Sequence, residues 1–377
     1  MNQTPIPQKH IPPRRQDADS QTVSRKKKTG GGISDRAYWF ALLISASSFV
    51  LAVLLILTAF INPSKAPAET TDETSDPSES EPSASVAVTY PTSPSRDSYL
   101  LSENGDTIDG SLLSADFAIL VSLSDYSVVA SLDADARIYP ASMTKIMTLI
   151  VACETIKDAS VILTVSEEVM EYCRDNDATV LASDPLDRFT ATDMLYGVGV
   201  VSAADACITL ANHIAGSEAE FVKLMNAKAT SLGLTKTNFA NSTGLDDKNN
   251  YSTAREMATI LSYALDNPFC REILSTDNKT VLGYYDMDGE EKTYNRQLYN
   301  TLWNRLSDAG YEKKIPAKLS CGMTLLGAKT GYTDEGGYCL ASFLEDESGK
   351  LYVTVTAMGE KVGTSITDME KILNEHG

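Results

Sequence analysis

Residues 37–61 carry no charged side chain and are almost wholly apolar. As a helix rising about 1.5 Å per residue, such a run spans the roughly 30 Å hydrocarbon core of a bilayer. A basic flank precedes it (Arg14, Arg15, Arg25, Lys26, Lys27, Lys28 and Arg36) and an acidic stretch follows. This asymmetry predicts a cytoplasmic tail over 1–36, a membrane helix over 37–61 and everything later outside. Ala66-Pro-Ala68 has the small-x-small form of a cleavage site, but the run exceeds the ~7–15 residues of a signal core, so retention as an anchor is expected. Residues 62–107 are rich in Pro, Ser, Thr and Glu and read as a disordered stalk. A folded domain is expected over 108–377.

Within that domain, residues 115–121 and 126–132 read as two strands joined by a turn. From Met143 onward a helix is predicted. Ile146, Met147, Leu149, Ile150, Val151 and Ala152 are apolar nearly all round, which marks a buried helix. Residues 192–215 give two helical segments with a break near Ser202. Ser217-Glu-Ala-Glu220 and Thr253-Ala-Arg-Glu256 are capping boxes opening two more helices, the first closed by Gly233. Residues 325–332, 338–344 and 351–358 read as three strands, and 365–374 as a last helix. Strands at both ends with helices between predict an α+β fold, in which N- and C-terminal strands meet in one antiparallel sheet packed by helices.

Composition narrows the function. The 377-residue chain carries a formal charge of −19, a poor match for the phosphates of nucleic acid. Six cysteines follow the apolar run, with no framework in their spacing, and Cys153 and Cys207 sit in apolar helical stretches where buried free thiols are expected. No Cys-x-x-Cys or His-Glu-x-x-His occurs, so neither a metal nor a cofactor is expected. Of three histidines, His10 lies in the polar tail and His376 is next to last, which leaves His213 alone within the fold. Serine chemistry would need another base.

Ser142 and Lys145, in Tyr139-Pro-Ala-Ser-Met-Thr-Lys-Ile-Met-Thr, supply one. Three positions apart on a helix, the two side chains share a face. Apolar neighbours would desolvate Lys145 and lower its pKa toward that of a usable base. Ser142 near the helix start would also sit where free N–H groups favour an oxyanion. Far downstream, Lys329-Thr330-Gly331 ends a strand. There Gly331 would let a substrate approach, Lys329 supplies charge and Thr330 a hydroxyl for a carboxylate. Both three-letter patterns are weak alone: Ser24 to Lys27 and Lys28-Thr-Gly30 repeat them within the basic tail, where nothing predicts an ordered element.

With that context the chain resembles the low-molecular-mass penicillin-binding proteins, the serine-type D-alanyl-D-alanine carboxypeptidases. The resemblance covers roughly 111–377. It rests on the two motifs above, on Leu210-Ala-Asn-His-Ile-Ala-Gly-Ser217, Met225-Asn-Ala-Lys228, Ser242-Thr-Gly-Leu-Asp-Asp247 and Tyr251-Ser-Thr-Ala-Arg255, and on Gly337-Tyr338 after Lys329-Thr-Gly-Tyr-Thr-Asp334. It implies a β-lactamase/transpeptidase-like fold with a mostly helical lobe. The implied activity is removal of the terminal D-alanine from peptidoglycan stem pentapeptides through an acyl-enzyme, with β-lactams as acylating inhibitors. Ser142 would be the nucleophile, Lys145 its base and Ser202 a proton relay to the leaving amine. Lys329 and Thr330 would hold the carboxylate, and the N–H groups of Ser142 and Tyr332 would form the oxyanion hole. Arg296 would match a carboxylate-binding arginine of some members, and His213 would be a packing residue.

Two departures stand out. Ala204 occupies the position of the asparagine in the family's Ser-x-Asn element, which leaves open a slow or non-catalytic penicillin- or muropeptide-binding homologue. The chain also ends soon after the catalytic domain, so the N-terminal helix is expected to anchor it. A β-lactamase is the other alternative. Its deacylating glutamate motif is echoed only by Glu370-Lys-Ile-Leu-Asn374, after Lys329 rather than before it.

Overall fold

The computed structural model describes residues 99–102 and 105–377. The expected cytoplasmic tail, membrane helix and stalk as far as residue 98, with the repeated motifs at 24–30, lie outside the described residues.

The central sheet has seven strands. These are β1 (Asp106–Thr107), β2 (Phe117–Ser122), β3 (Ser127–Leu132), β8 (Ala317–Lys318), β9 (Thr324–Thr333), β10 (Gly337–Glu345) and β11 (Leu351–Gly359). Their order is β1-β3-β2-β11-β10-β9-β8. N-terminal β2 therefore pairs with C-terminal β11, Val121 opposite Val353 and Ile119 opposite Val355. The sheet departs from the antiparallel expectation at one edge, where β1 runs parallel to β3. The end of the stalk also moves: β1 falls within 62–107, and Tyr99 is buried with its hydroxyl donating to Asp266 at 2.7 Å.

Helices pack on both faces, which explains why β2, β10 and β11 read as nearly continuous apolar runs. One face meets the lobe built on α1 (Lys145–Thr155), α2 (Glu167–Asp175), α3 (Ala191–Val200), α4 (Ala204–Ala215), α5 (Glu218–Ser231), α6 (Ala254–Asp266) and α7 (Pro268–Ser275). The other is covered by α8 (Leu302–Asp308) and α9 (Thr364–His376), with Leu302, Leu306, Ile366 and Met369 against Leu325 and Leu340. Nine successive residues of α1, Lys145 to Cys153, are buried, as its all-round apolar pattern predicts. Both capping boxes form: Ser217 Oγ accepts from Glu220 N and Thr253 Oγ1 from Glu256 N.

The helical lobe also holds a second sheet of β4 (Ile162–Thr164), β5 (Arg188–Thr190), β6 (Asn278–Met287) and β7 (Glu290–Tyr299), in that order. Among the described residues all six cysteines are free, Cys153 and Cys207 buried. No described helix is long and apolar enough to cross a membrane.

Candidate active site

Three segments meet at one cleft. In the first, Ala141 turns with φ +48° and opens a 3-10 turn, Ala141–Thr144, that runs into α1. Ser142 thus lies one turn before the α-helix proper. The turn is clamped by two glycines. A Cβ on Gly331 would meet Pro140 O and Ala141 Cβ at 3.1 Å, and one on Gly244 would meet Ala141 O at 2.0 Å. Gly331 was expected to admit substrate; its bare face instead receives the turn that bears Ser142.

Lys145 is 3% exposed, and its Nζ donates to Ser142 Oγ at 3.1 Å and to Thr243 O at 2.5 Å. Burial pulls its amine below the ordinary lysine value, as its apolar neighbours predict. The Thr243 carbonyl is held in place from several sides. Asn241 Oδ1 accepts from Thr243 N and Gly244 N, Ser242 binds Glu218, and Thr148 Oγ1 donates to Ser242 O at 2.6 Å. Sequence reasoning missed this carbonyl. The Ser242-Thr-Gly-Leu motif was its available signal.

The second segment is the break between α3 and α4. Ser202 sits there at φ +64°, 8% exposed. Asp205, fully buried, accepts from Leu181 N (2.7 Å) and Ala182 N (2.8 Å), while Ala204 N donates to Thr179 O. Burial raises the Asp205 carboxyl, against the lowering pull of these N–H groups. They lock the 179–182 stretch to the start of α4. Ala204 itself is buried and offers no side-chain polar group.

The third segment is β9. Lys329 has no exposed surface, and its Nζ donates to Ser202 Oγ and Thr330 O, both at 2.9 Å. Burial drives its pKa far down, and the charge of Lys145 adds to this. Thr330 Oγ1 is 2.7 Å from Thr301 Oγ1. Tyr332 is half exposed at the strand end, its ring 4.5 Å from that of Tyr338.

Ser142, Lys145, Ser202, Lys329, Thr330, Gly331 and Tyr332 therefore belong to this one cluster of three segments. Arg296, on β7, donates to Ser183 Oγ and Val180 O, and its charge is felt by Asp205 at the start of α4. Its partner Ser183 lines a cavity of about 520 Å³ between loop 183–187 and Tyr285, Asp286 and Tyr294, which contains none of the cluster. His213 is exposed on α4, so it is not the packing residue expected. Among the described residues no cluster of ligands could hold a metal. A hydroxyl bonded to a buried amine of lowered pKa can act as a nucleophile with its base. A second amine–hydroxyl pair stands beside it, next to a strand that offers a further hydroxyl.

The chain matches the D-alanyl-D-alanine carboxypeptidase family model over residues 106–360. It is 33% identical over 226 residues to the D-alanyl-D-alanine carboxypeptidase DacF of Bacillus subtilis, covering 60% of this chain and 52% of that protein. DacC of Escherichia coli, of the same description, is 31% identical over 277 residues, 71% of this chain and 62% of that one. The chain thus spans little more than half the length of these curated relatives. The crystal structure of the Streptomyces K15 DD-transpeptidase superimposes with a TM-score of 0.60 at 25% identity, covering 70% of this chain and 96% of that one. With the family model spanning the whole Ser142–Lys329 cleft, this chain belongs to the D-alanyl-D-alanine carboxypeptidase family.

Proposed function

We propose that this protein removes the terminal D-alanine from peptidoglycan stem pentapeptides. The observation that carries this is the buried Lys145 amine, 3.1 Å from Ser142 Oγ. Neutral Lys145 takes the proton as Ser142 Oγ attacks the carbonyl of the penultimate D-alanine. The oxyanion forms beside the N–H groups of Ser142 and Tyr332. Ser202 gives its proton to the departing amine and takes up the one held by Lys145, so D-alanine leaves, an ester to Ser142 remains and Lys145 is neutral again. Water then cleaves the ester, giving up its proton to the same base. Lys329 and Thr330 face the substrate carboxylate. β-Lactams acylate Ser142 by the same first step, their leaving amine staying tethered.

On the sequence grounds given above, residues 37–61 anchor the protein in the cytoplasmic membrane. The 1–36 tail is then inside, and the catalytic body is held outside on the Pro/Ser/Thr/Glu stretch. Incubation of the full chain with a defined pentapeptide tests the activity by mass spectrometry. Tetrapeptide and free D-alanine are expected from the wild type and neither from Ser142→Ala; equal release by both proteins overturns the assignment.

A further inference from the structure

The outer face of the β6–β7 hairpin is exposed and, at its root, uncharged. Alternation along β7 turns Arg296 and Leu298 toward the lobe and leaves Asn295, Gln297 and Tyr299 exposed. Opposite them on β6 stand Leu282, Thr280 and Asn278, exposed as well. The side chains brace one another across the strands: Thr280 Oγ1 donates to Gln297 Oε1 at 2.6 Å, and Gln297 Nε2 to Asn278 Oδ1 at 3.2 Å. Tyr299 is 53% exposed, and its ring centre lies 4.9 Å from that of Trp303 on α8. Trp303 Nε1 donates to Asp277 Oδ1 at 2.6 Å, which fixes the indole.

An ordinary protein surface is about 25–35% charged, so about two of these six strand positions should carry charge. None does, on a chain of net charge −19. The neighbouring charges are engaged elsewhere. Lys279 lies over the Tyr196 ring, and Arg188, Asp286 and Glu291 pair with one another toward the hairpin tip. Asp277 accepts from Trp303, Asn278 and Ile315 N. Amides and hydroxyls that both donate and accept, beside two aromatic rings, suit a neutral ligand rich in hydroxyl and amide groups. A sugar ring has that chemistry, with a C–H face to lie on an aromatic ring.

The face is continuous with the cleft. Tyr299 and Trp303 flank Thr301, whose hydroxyl lies 2.7 Å from that of Thr330. Two residues of chain span at most about 7 Å, and an extended five-residue stem at most about 17 Å. The sugar end of a stem peptide whose other end lies beside Thr330 is therefore within reach of Tyr299.

We infer that the outer face of the β6–β7 hairpin, with Trp303, is a docking surface for the glycan strand that carries the stem peptide, a chain of uncharged N-acetylated sugars. The choice of this glycan rests on the proposed carboxypeptidase function.

The test separates sugar from peptide in the full-length protein. In a Trp39→Phe background, tryptophan emission reports Trp303 alone. A peptide-free β-linked N-acetylglucosamine oligomer should change that emission saturably, and Tyr299→Ser with Gln297→Ala should abolish the change. D-Alanine release is then compared on free pentapeptide and on pentapeptide attached to polymeric glycan. The double variant should lose about tenfold in kcat/KM on the polymer and less than about twofold on the free peptide. Tyr299→Phe, which keeps the ring, should stay close to wild type on both. No response of the wild type to the oligomer, or equal losses on polymer and free peptide, overturns the inference. So does self-association of the chain that the double variant loses while the oligomer leaves the wild type unchanged. If the wild type releases no D-alanine from either substrate, the peptidase function falls, and oligomer binding still decides the docking surface. Thermal melting shows whether the double variant is folded; if it is not, Gln297→Ala alone, at an exposed position, carries the comparison.

Discussion

Gly244→Ala is the sharpest probe of how the turn that bears Ser142 is held. Gly244 has φ +79°, and an added Cβ would lie 2.0 Å from Ala141 O and 3.0 Å from Ser142 N. The first contact is more than an ångström inside the ordinary 3.4 Å limit, and both partners are backbone atoms, so no side chain can swing aside. A non-glycine residue at this φ costs about 1–2 kcal/mol. Relief of the clash requires the 241–245 loop to retreat, which strains the Asn241 bonds and the Lys145–Thr243 contact for roughly another 2–3 kcal/mol. The sum of about 4 kcal/mol corresponds to a fall in Tm of roughly 10 °C for a domain of this size. Displacing the Lys145–Ser142 geometry by about an ångström should slow acylation by about a hundredfold. Gly289→Ala is the control. It has φ +80° but nothing within 4 Å of the new Cβ, so only the conformational cost applies. Thermal unfolding and the rate of labelling by fluorescent penicillin are the measurements. If Gly244→Ala melts and labels like Gly289→Ala, the glycine clamp on the turn is wrong.

Asp205→Asn would replace one acceptor oxygen facing Leu181 N or Ala182 N with a donor, costing about 2–3 kcal/mol in thermal unfolding; an unchanged melting curve would show the 179–182 stretch to be held by other means. Thr301→Val removes the partner of the Thr330 hydroxyl and should lower kcat/KM on a carboxylate-ended peptide about fivefold, with Thr301→Ser close to wild type; equal loss in both variants refutes the hydroxyl contact as the cause. Burial holds Lys145 below its ordinary 10.5, so neutral amine accumulates as pH rises and penicillin acylation should climb with it, whereas a flat rate between about pH 5 and 10 excludes Lys145 as the base. The same depression leaves the unfolded chain holding the extra proton above the folded pKa, so this group adds stability as pH rises toward 10.5.

The parts of the fold legible in the sequence are those whose side chains report their surroundings locally. The apolar runs of β2, β10 and β11, the all-round apolar α1 and the two capping boxes each carry their own signal. The β6–β7 hairpin does not. Val281, Gly283 and Leu298 are its buried strand residues, and the alternation is lost among exposed charged and polar neighbours. Asp288-Gly289 at its turn, both with positive φ, was the one local clue. In α2 two glutamates in the first turn mask the buried Val169, Met170 and Cys173, although Ser166 caps it in the ordinary way. The parallel pairing of β1 involves two exposed residues, too short a segment for any periodicity to show.

At the site the dividing line is the same. Ser142 and Lys145 are three positions apart, so their contact is a local event and the spacing alone predicts it. The acceptor that fixes Lys145 is a main-chain carbonyl 98 residues away, and a carbonyl has no residue type to recognise. Lys145, Lys329 and Arg305 all lie buried around one turn of chain, and the like charges of Lys145 and Arg305 both depress Lys329. Such an arrangement holds both lysines below the ordinary lysine value. Buried in this way, the Lys145 amine can accept a proton from the Ser142 hydroxyl that it touches.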